Sequence, residues 1–335
     1  MDWRWTASPG VALLGEGTPA RAATWARAAE RTGFGSVWII EDYFHPGAFA
    51  LAGAVAAVTE RIAVGLGVVN PYTRHPALLA MEAGALAGLA PGRVVLGLGT
   101  SNRNWIEEQM GMPFKKPLAA LGECVAIVRR LLAGERVTFH GECFDLERVV
   151  LESPPPAPVP ILLGVKGPRA LQLAGRVADG VHCAVLASPA HVRRVRATAG
   201  AGRADRLVVI AYVPVMVAAD GREARERVKP LLARYAGVLH GQSILEDAGL
   251  GPARTLPFRE ALARGESAGH LVTDDIIDAL AVAGNPEECR RQLRRWAEAG
   301  LDAPIAVVPP GVELDEQIAR IGAELAPAWK EMRGS

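Results

Sequence analysis

Short, continuous apolar runs alternate along this chain with longer stretches in which apolar positions recur every three or four residues. The runs cover 3–7, 36–40, 62–69, 94–98, 161–164, 180–184, 207–217 and 304–308. Uninterrupted apolar runs of this length mark strands covered on both faces. The longer stretches predict helices over 19–32, 48–59, 77–89, 116–133, 168–178, 189–199 and 223–239. A last pair, 273–281 and 286–299, precedes the final strand. Local chemistry agrees with these limits. Gly33 follows the first helix where a left-handed stop belongs. Asn285-Pro286-Glu287-Glu288 offers a capping side chain, a proline at the first helical position and acids in the first turn.

Eight strand–helix units within 335 residues predict a single α/β domain over 1–335, a closed (β/α)8 TIM barrel. An open, doubly wound sheet is the other arrangement, but the first strand is not followed by a G-x-G-x-x-G turn opening a helix. Two insertions interrupt the alternation, at about 136–158 and about 241–270. In the first, apolar and polar residues alternate on either side of His140-Gly141-Glu142, which predicts a β-hairpin. It runs into the stiff Glu152-Ser153-Pro154-Pro155-Pro156-Ala157-Pro158 connector. The second is rich in Gly, Pro and charge without a clear period. It is read as a cover over the substrate, with a disordered loop as the alternative.

Composition narrows the partners. Half the residues are hydrophobic, and 37 basic against 36 acidic residues leave a net charge of +1. Such a balance gives no global attraction to nucleic acid or to an anionic membrane. Cys124, Cys143, Cys183 and Cys289 lack metal-ligand spacing, so no metal site is expected. They read as reduced thiols of a cytoplasmic protein. Met1-Asp2-Trp3-Arg4-Trp5 has no long apolar segment of a signal peptide, and the alanine-rich run 48–58 is too short to span a bilayer.

Candidate chemistry gathers where strands end, the functional face of such a barrel. After the second strand come Glu41, Asp42, Tyr43 and His45. Acid, phenol and imidazole can each act as acid, base or orienting partner. Alternatively, Glu41 and Asp42 cap the loop or pair with Arg74. The third strand ends in Asn70-Pro71-Tyr72-Thr73-Arg74-His75-Pro76, polar and twice punctuated by proline. The fourth ends Gly97-Leu98-Gly99-Thr100-Ser101-Asn102, whose small residues let a flat ligand approach the backbone. The fifth ends Gly164-Val165-Lys166-Gly167-Pro168-Arg169 at a helix start, where free N–H groups and two cations suit an anion. A thiol–imidazole pair at His182-Cys183 is disfavoured, because adjacent strand residues face opposite ways.

Four segments in register carry a family resemblance: Gly65-Leu66-Gly67-Val68-Val69-Asn70-Pro71-Tyr72-Thr73-Arg74-His75-Pro76, Leu96-Gly97-Leu98-Gly99, Gly164-Val165-Lys166-Gly167-Pro168 and Leu173-Ala174-Gly175-Arg176-Val177-Ala178-Asp179-Gly180. Over about 22–188 the chain resembles the luciferase-like superfamily, and within it the coenzyme F420-dependent reductases of the methylenetetrahydromethanopterin reductase kind. The resemblance implies an insertion-bearing (β/α)8 barrel that binds coenzyme F420 or, alternatively, FMN at its mouth. It implies a bulge at Gly67 and Val68 behind the ring, often with a cis peptide bond, with Asp42 near the ring and Asn70 near its polar edge. Thr100, Ser101 and Asn102 would line the cofactor, and the N–H groups of Val165, Lys166 and Gly167 would take its phosphate.

Two departures stand out. Many deazaflavin relatives have Asp-His-Phe where this chain has Asp42-Tyr43-Phe44, and many carry an acid at the position of Asn102. With both groups missing, Tyr43, His45 and Glu41 are the candidate proton donors. The implied activity is F420H2-dependent hydride transfer from the deazaflavin C5 to an activated C=N or C=C bond of a small organic substrate. An FMN-dependent monooxygenase or oxidoreductase, and a non-catalytic cofactor-binding barrel, are the rival expectations. Apolar composition and the resemblance together suggest a homodimer.

Overall fold

The computed structural model describes residues 3–14 and 18–334. Its strands are β1 (Gly10–Leu13), β2 (Ser36–Ile39), β3 (Ala63–Val69), β4 (Val94–Gly99), β5 (Val137–His140), β6 (Asp145–Val149), β7 (Ile161–Gly164), β8 (Gly180–Cys183), β9 (Val208–Val217), β10 (Val282–Gly284) and β11 (Ala303–Val307). Its helices are α1 (Pro19–Arg31), α2 (Ala48–Val58), α3 (Pro76–Leu89), α4 (Pro117–Leu132), α5 (Pro168–Val177), α6 (Pro189–Ala199), α7 (Gly221–Val238), α8 (Ser243–Glu246), α9 (Pro252–Ala263), α10 (Asp274–Leu280), α11 (Pro286–Glu298), α12 (Leu314–Glu324) and α13 (Ala326–Gly334).

The strands β1, β2, β3, β4, β7, β8, β9 and β11 pair in parallel, and β8 joins β9 to close the ring. This is the expected (β/α)8 barrel. Its strands are almost wholly buried because the interior fills with their own side chains and the helices cover the outside. Caps read from the sequence are present: the Asn285 side chain accepts from the Glu288 N–H while the Glu288 carboxylate accepts from the Asn285 N–H. No helix among the described residues is long and apolar enough to cross a membrane, and no group of three His, Cys, Asp or Glu there could hold a metal ion.

The first strand is a correction. Residues 3–7 were expected to form it, yet Arg4–Ala7 is a 3-10 turn and β1 lies at Gly10–Leu13. The turn closes because the N–H and hydroxyl of Thr6 both donate to the Trp3 carbonyl. Trp3, Trp5 and Trp38 then follow ring to ring, at centroid separations of 6.0 and 5.9 Å, ending on the buried Trp38 of β2. Indole surface, rather than strand pairing, accounts for the apolar pattern of residues 3–7.

Strand β9 outruns the barrel, and its last residues, Val215 to Val217, pair with the unforeseen β10. The C-terminal helices α12 and α13 were likewise not anticipated. Trp329 of α13 is fully buried and donates to the Thr6 carbonyl, joining the two ends of the chain.

The first insertion is the expected antiparallel hairpin, β5 with β6. Glu123 of α4 fastens its turn by accepting from the N–H groups of Glu142, Cys143 and Phe144 at 2.7, 3.0 and 3.1 Å. The second insertion is helical, not irregular. Within it, α9 packs on α7, and His240 meets the Thr255 hydroxyl at 2.8 Å.

Candidate functional site

The C-terminal strand ends form one mouth, and a chain of hydrogen bonds ties three of them together. Asn70, only 3% exposed after β3, donates from Nδ2 to the Tyr43 hydroxyl at 2.7 Å. Tyr43, from the loop after β2, donates to the Ser101 hydroxyl at 2.9 Å after β4. The Asn70 carbonyl oxygen accepts from the N–H groups of Tyr72 and Thr73 at 2.9 and 3.0 Å, the local turn expected of asparagine there. The loops reach this arrangement through left-handed residues, Phe44 at φ 66° and Ser101 at φ 58°. The Tyr43 ring lies 4.6 Å from that of Trp105. Burial pushes the Tyr43 phenol above its ordinary pKa, and hydrogen bonding to Ser101 and Asn70 offsets this only in part.

A second feature is a wall built on glycine. The β3–β4 register shifts between Leu66 and Val69, and the Gly67–Val68 peptide bond is cis. Beside Val68, a Cβ on Gly97, Gly99 or Gly164 would come within 3.0, 2.7 or 2.9 Å of its side chain. On Gly67 itself, a Cβ would meet the Tyr212 hydroxyl at 2.2 Å and the His182 ring at 2.7 Å. Tyr212 of β9 donates to the Gly67 carbonyl at 2.7 Å, so the wall is braced from across the barrel. His182 of β8 lies between Trp38 and Tyr212, with ring centroids 4.7 and 4.2 Å away. Burial lowers its pKa to about 3, so the imidazole is neutral. The neighbouring Cys183 is also buried and its thiol is pushed up to about 12, which removes any thiolate chemistry there.

The third feature is the turn between β7 and α5. Gly167 caps α5 without a side-chain bond, leaving the first helical N–H groups free of a capping side chain. Val165 is buried and Lys166 half-buried. Burial lowers the Lys166 pKa, and among the described residues no carboxylate lies within ion-pair range of it.

The family model described as luciferase-like monooxygenase matches residues 3–303. The chain belongs to the luciferase-like family. A relative from Methanolobus tindarius named 5,10-methylenetetrahydromethanopterin reductase is 31% identical over 319 residues, covering 91% of this chain and 95% of its own. One from Nakamurella multipartita named F420-dependent glucose-6-phosphate dehydrogenase is 29% identical, covering 94% of each chain. The solved structure of the coenzyme F420-dependent tetrahydromethanopterin reductase from Methanopyrus kandleri superposes with a TM-score of 0.85 at 26% identity, over 96% of this chain and 99% of that one.

In this luciferase-like barrel the residues singled out from sequence separate into groups. Tyr43, Asn70, Gly67 and Val68 stand at the mouth with the contacts described above. Asp42 is beside them, its carboxylate accepting from the Tyr43 N–H at 3.1 Å. The Thr100 hydroxyl turns to the Ser101 carbonyl at 3.3 Å. Asn102 is exposed, and its side-chain oxygen accepts from the Trp105 N–H at 3.1 Å ahead of a π-helical turn. Glu41 pairs with Arg74 at 2.7 Å, the alternative left open by the sequence, and Arg74 also reaches Glu82 at 3.0 Å. The His45 side chain is exposed. Sequence reasoning missed Tyr212, Tyr235 and the bracing role of His182. Tyr235, on α7, lies within electrostatic range of both Asp42 and Tyr212. Tyr212 did carry a signal, as the one hydroxyl in the apolar run 207–217.

Proposed function

We propose that this luciferase-like protein is a coenzyme F420-dependent oxidoreductase. It would pass a hydride between the deazaflavin C5 and an activated C=N or C=C bond of a small organic substrate. What carries the reading is a single conjunction at the mouth: a glycine-backed wall able to take a flat ring, beside a phenol kept protonated. The names of the relatives, two of them F420-dependent by name, agree with it.

The residues present fit such a cofactor. Glycines 97, 99 and 164 leave the space that Val68 occupies, so Gly67 and Val68 form a thin wall a ring can press against. Asp42, Asn70, Thr100 and Asn102 would surround the ring and its chain. The N–H groups of Val165, Lys166 and Gly167 at the start of α5, which has no side-chain cap, would take the phosphate, with the Lys166 ammonium beside them. When bound, the deazaflavin supplies a two-electron hydride donor. Tyr43 would hold the proton for the substrate at its hydroxyl. Asn70, already donating to that oxygen, would stabilise the charge left as the proton departs. Ser101 orients the phenol.

The molecule is proposed to work as a homodimer. Helix α2 carries no charged residue, and α3 exposes Leu78, Met81 and Leu89 at 42, 57 and 50%. Two copies joined through these helices would cover that apolar face.

Titration of the cofactor-free protein with F420 and with FMN, followed by tryptophan fluorescence, tests the reading. F420 should bind at least about tenfold more tightly, a difference of about 1.4 kcal/mol. Preference for FMN would transfer the protein to the flavin-dependent alternative. F420 binding with no oxidation of F420H2 by imines or enones would leave a cofactor-binding barrel without turnover.

A further inference from the structure

Behind the β7–α5 turn lies a cluster outside the chemistry described so far. Ser188 caps α6 by accepting from the His191 N–H at 3.1 Å. His191 is completely buried, and its Nδ1 stands 2.6 Å from an Asp247 carboxylate oxygen. Burial holds the His191 pKa below its ordinary value, against the raising effect of Asp247. One turn further along α6, a single guanidinium nitrogen of Arg194 shares its N–H groups among four polar neighbours. They are the same Asp247 oxygen at 2.9 Å, the Ser243 hydroxyl at 3.1 Å, His191 Nδ1 at 3.3 Å and the backbone carbonyl of Lys166 at 3.3 Å. Ser243 begins α8 and Asp247 follows it. Arg194 therefore joins the second insertion to the turn that would hold the cofactor phosphate.

The carbonyl contact matters because the Lys166–Gly167 peptide is planar. In a trans peptide the C=O and the N–H point in opposite directions. The one cis bond among the described residues is Gly67–Val68. Holding the Lys166 oxygen on the α6 side thus turns the Gly167 N–H away from α6. Asp247 neutralises Arg194, while Lys166 and Arg169 of the turn have no ion-pair partner among the described residues.

We propose that Arg194, held in place by Asp247 and Ser243, is a positioning residue that sets the Lys166–Gly167 peptide to receive the cofactor phosphate, so that docking of the insertion at 243–247 organises the phosphate site. The proposal rests on the reading of that turn as the phosphate site. Its consequence is specific: loss of Arg194 weakens recognition of the phosphate and leaves recognition of the ring alone.

The test compares dissociation constants for F420 and for its phosphate-free fragment, the deazaflavin ring with its ribityl chain. It uses wild type, Arg194→Met, Arg194→Lys, Asp247→Asn and Ser243→Ala, with thermal unfolding as the check on folding. Wild type should prefer F420. In Arg194→Met that preference should fall about tenfold or more, while the fragment's constant stays within about twofold. Arg194→Lys, which keeps the charge but not the fork, should recover part of it. Ser243→Ala removes one arm of the clamp and should give a smaller loss of the same kind. If Arg194→Met keeps the wild-type preference, or weakens both ligands equally, the positioning role is overturned and the phosphate turn stands. If wild type itself fails to prefer F420 over the fragment, the phosphate turn fails and the proposal with it.

Discussion

In the proposed reaction Tyr43 is the acid at the mouth. Its ring is held against Trp105 and its oxygen is shared between Asn70 and Ser101. Tyr43→Phe keeps the ring and removes only the transferable proton. It should lower kcat by about 10²- to 10⁴-fold, the usual contribution of general acid catalysis, and leave the F420 dissociation constant within about threefold. Steady-state kinetics alongside fluorescence titration would separate the two. Burial raises this phenol above its ordinary value, so the acid stays protonated through neutral and mildly alkaline pH. The pH–kcat profile should then show no falling alkaline limb from Tyr43 below about pH 10. Tyr43 and Asn70 were legible because each follows an apolar run. Arg194 and His191 were not: on a helical pattern such residues read as surface, and only the fold brings Asp247 and Lys166 to them.

At the scale of elements, the glycines of β3, β4 and β7 do the work that side chains do elsewhere. At Gly97 a Cβ would lie 2.2 Å from the Leu66 carbonyl oxygen and 3.0 Å from Val68. Because the nearer atom is backbone, the wall itself must move. Gly97→Ala should cost about 1–3 kcal/mol in urea unfolding and weaken cofactor binding together with it. Gly53, within α2, has nothing within 4 Å of an added Cβ. Gly53→Ala should therefore raise stability by about 0.4–1 kcal/mol, chiefly by restricting the unfolded chain. The G-x-G pairs were visible in the sequence, but not what they make room for. That depends on Val68 of β3 reaching glycines on two other strands.

For the whole molecule, closure of the barrel brings together loops from strands far apart in sequence, and the same closure leaves α2 and α3 with an apolar outer face. Light scattering after gel filtration should give the mass of two chains. Met81→Glu, at the 57% exposed position on α3, should shift it toward one chain with little change in the F420 dissociation constant. A wild-type mass of one chain would remove the dimer from the account.

The periodicity of apolar residues by itself determined the barrel, the hairpin insertion and the order of the loops at the mouth. Strands buried on both faces and helices buried on one leave a signal in every few consecutive residues. It did not determine where the first strand lies, because Trp3 and Trp5, packed ring to ring, imitate the apolar pattern of a strand. Nor did it determine that the second insertion is helical and docked, or which polar residues meet. Tyr212 with Gly67, and Arg194 with Lys166 and Asp247, are contacts between distant segments. No local pattern encodes them, because the distance between such groups exists only after the ring of strands has closed.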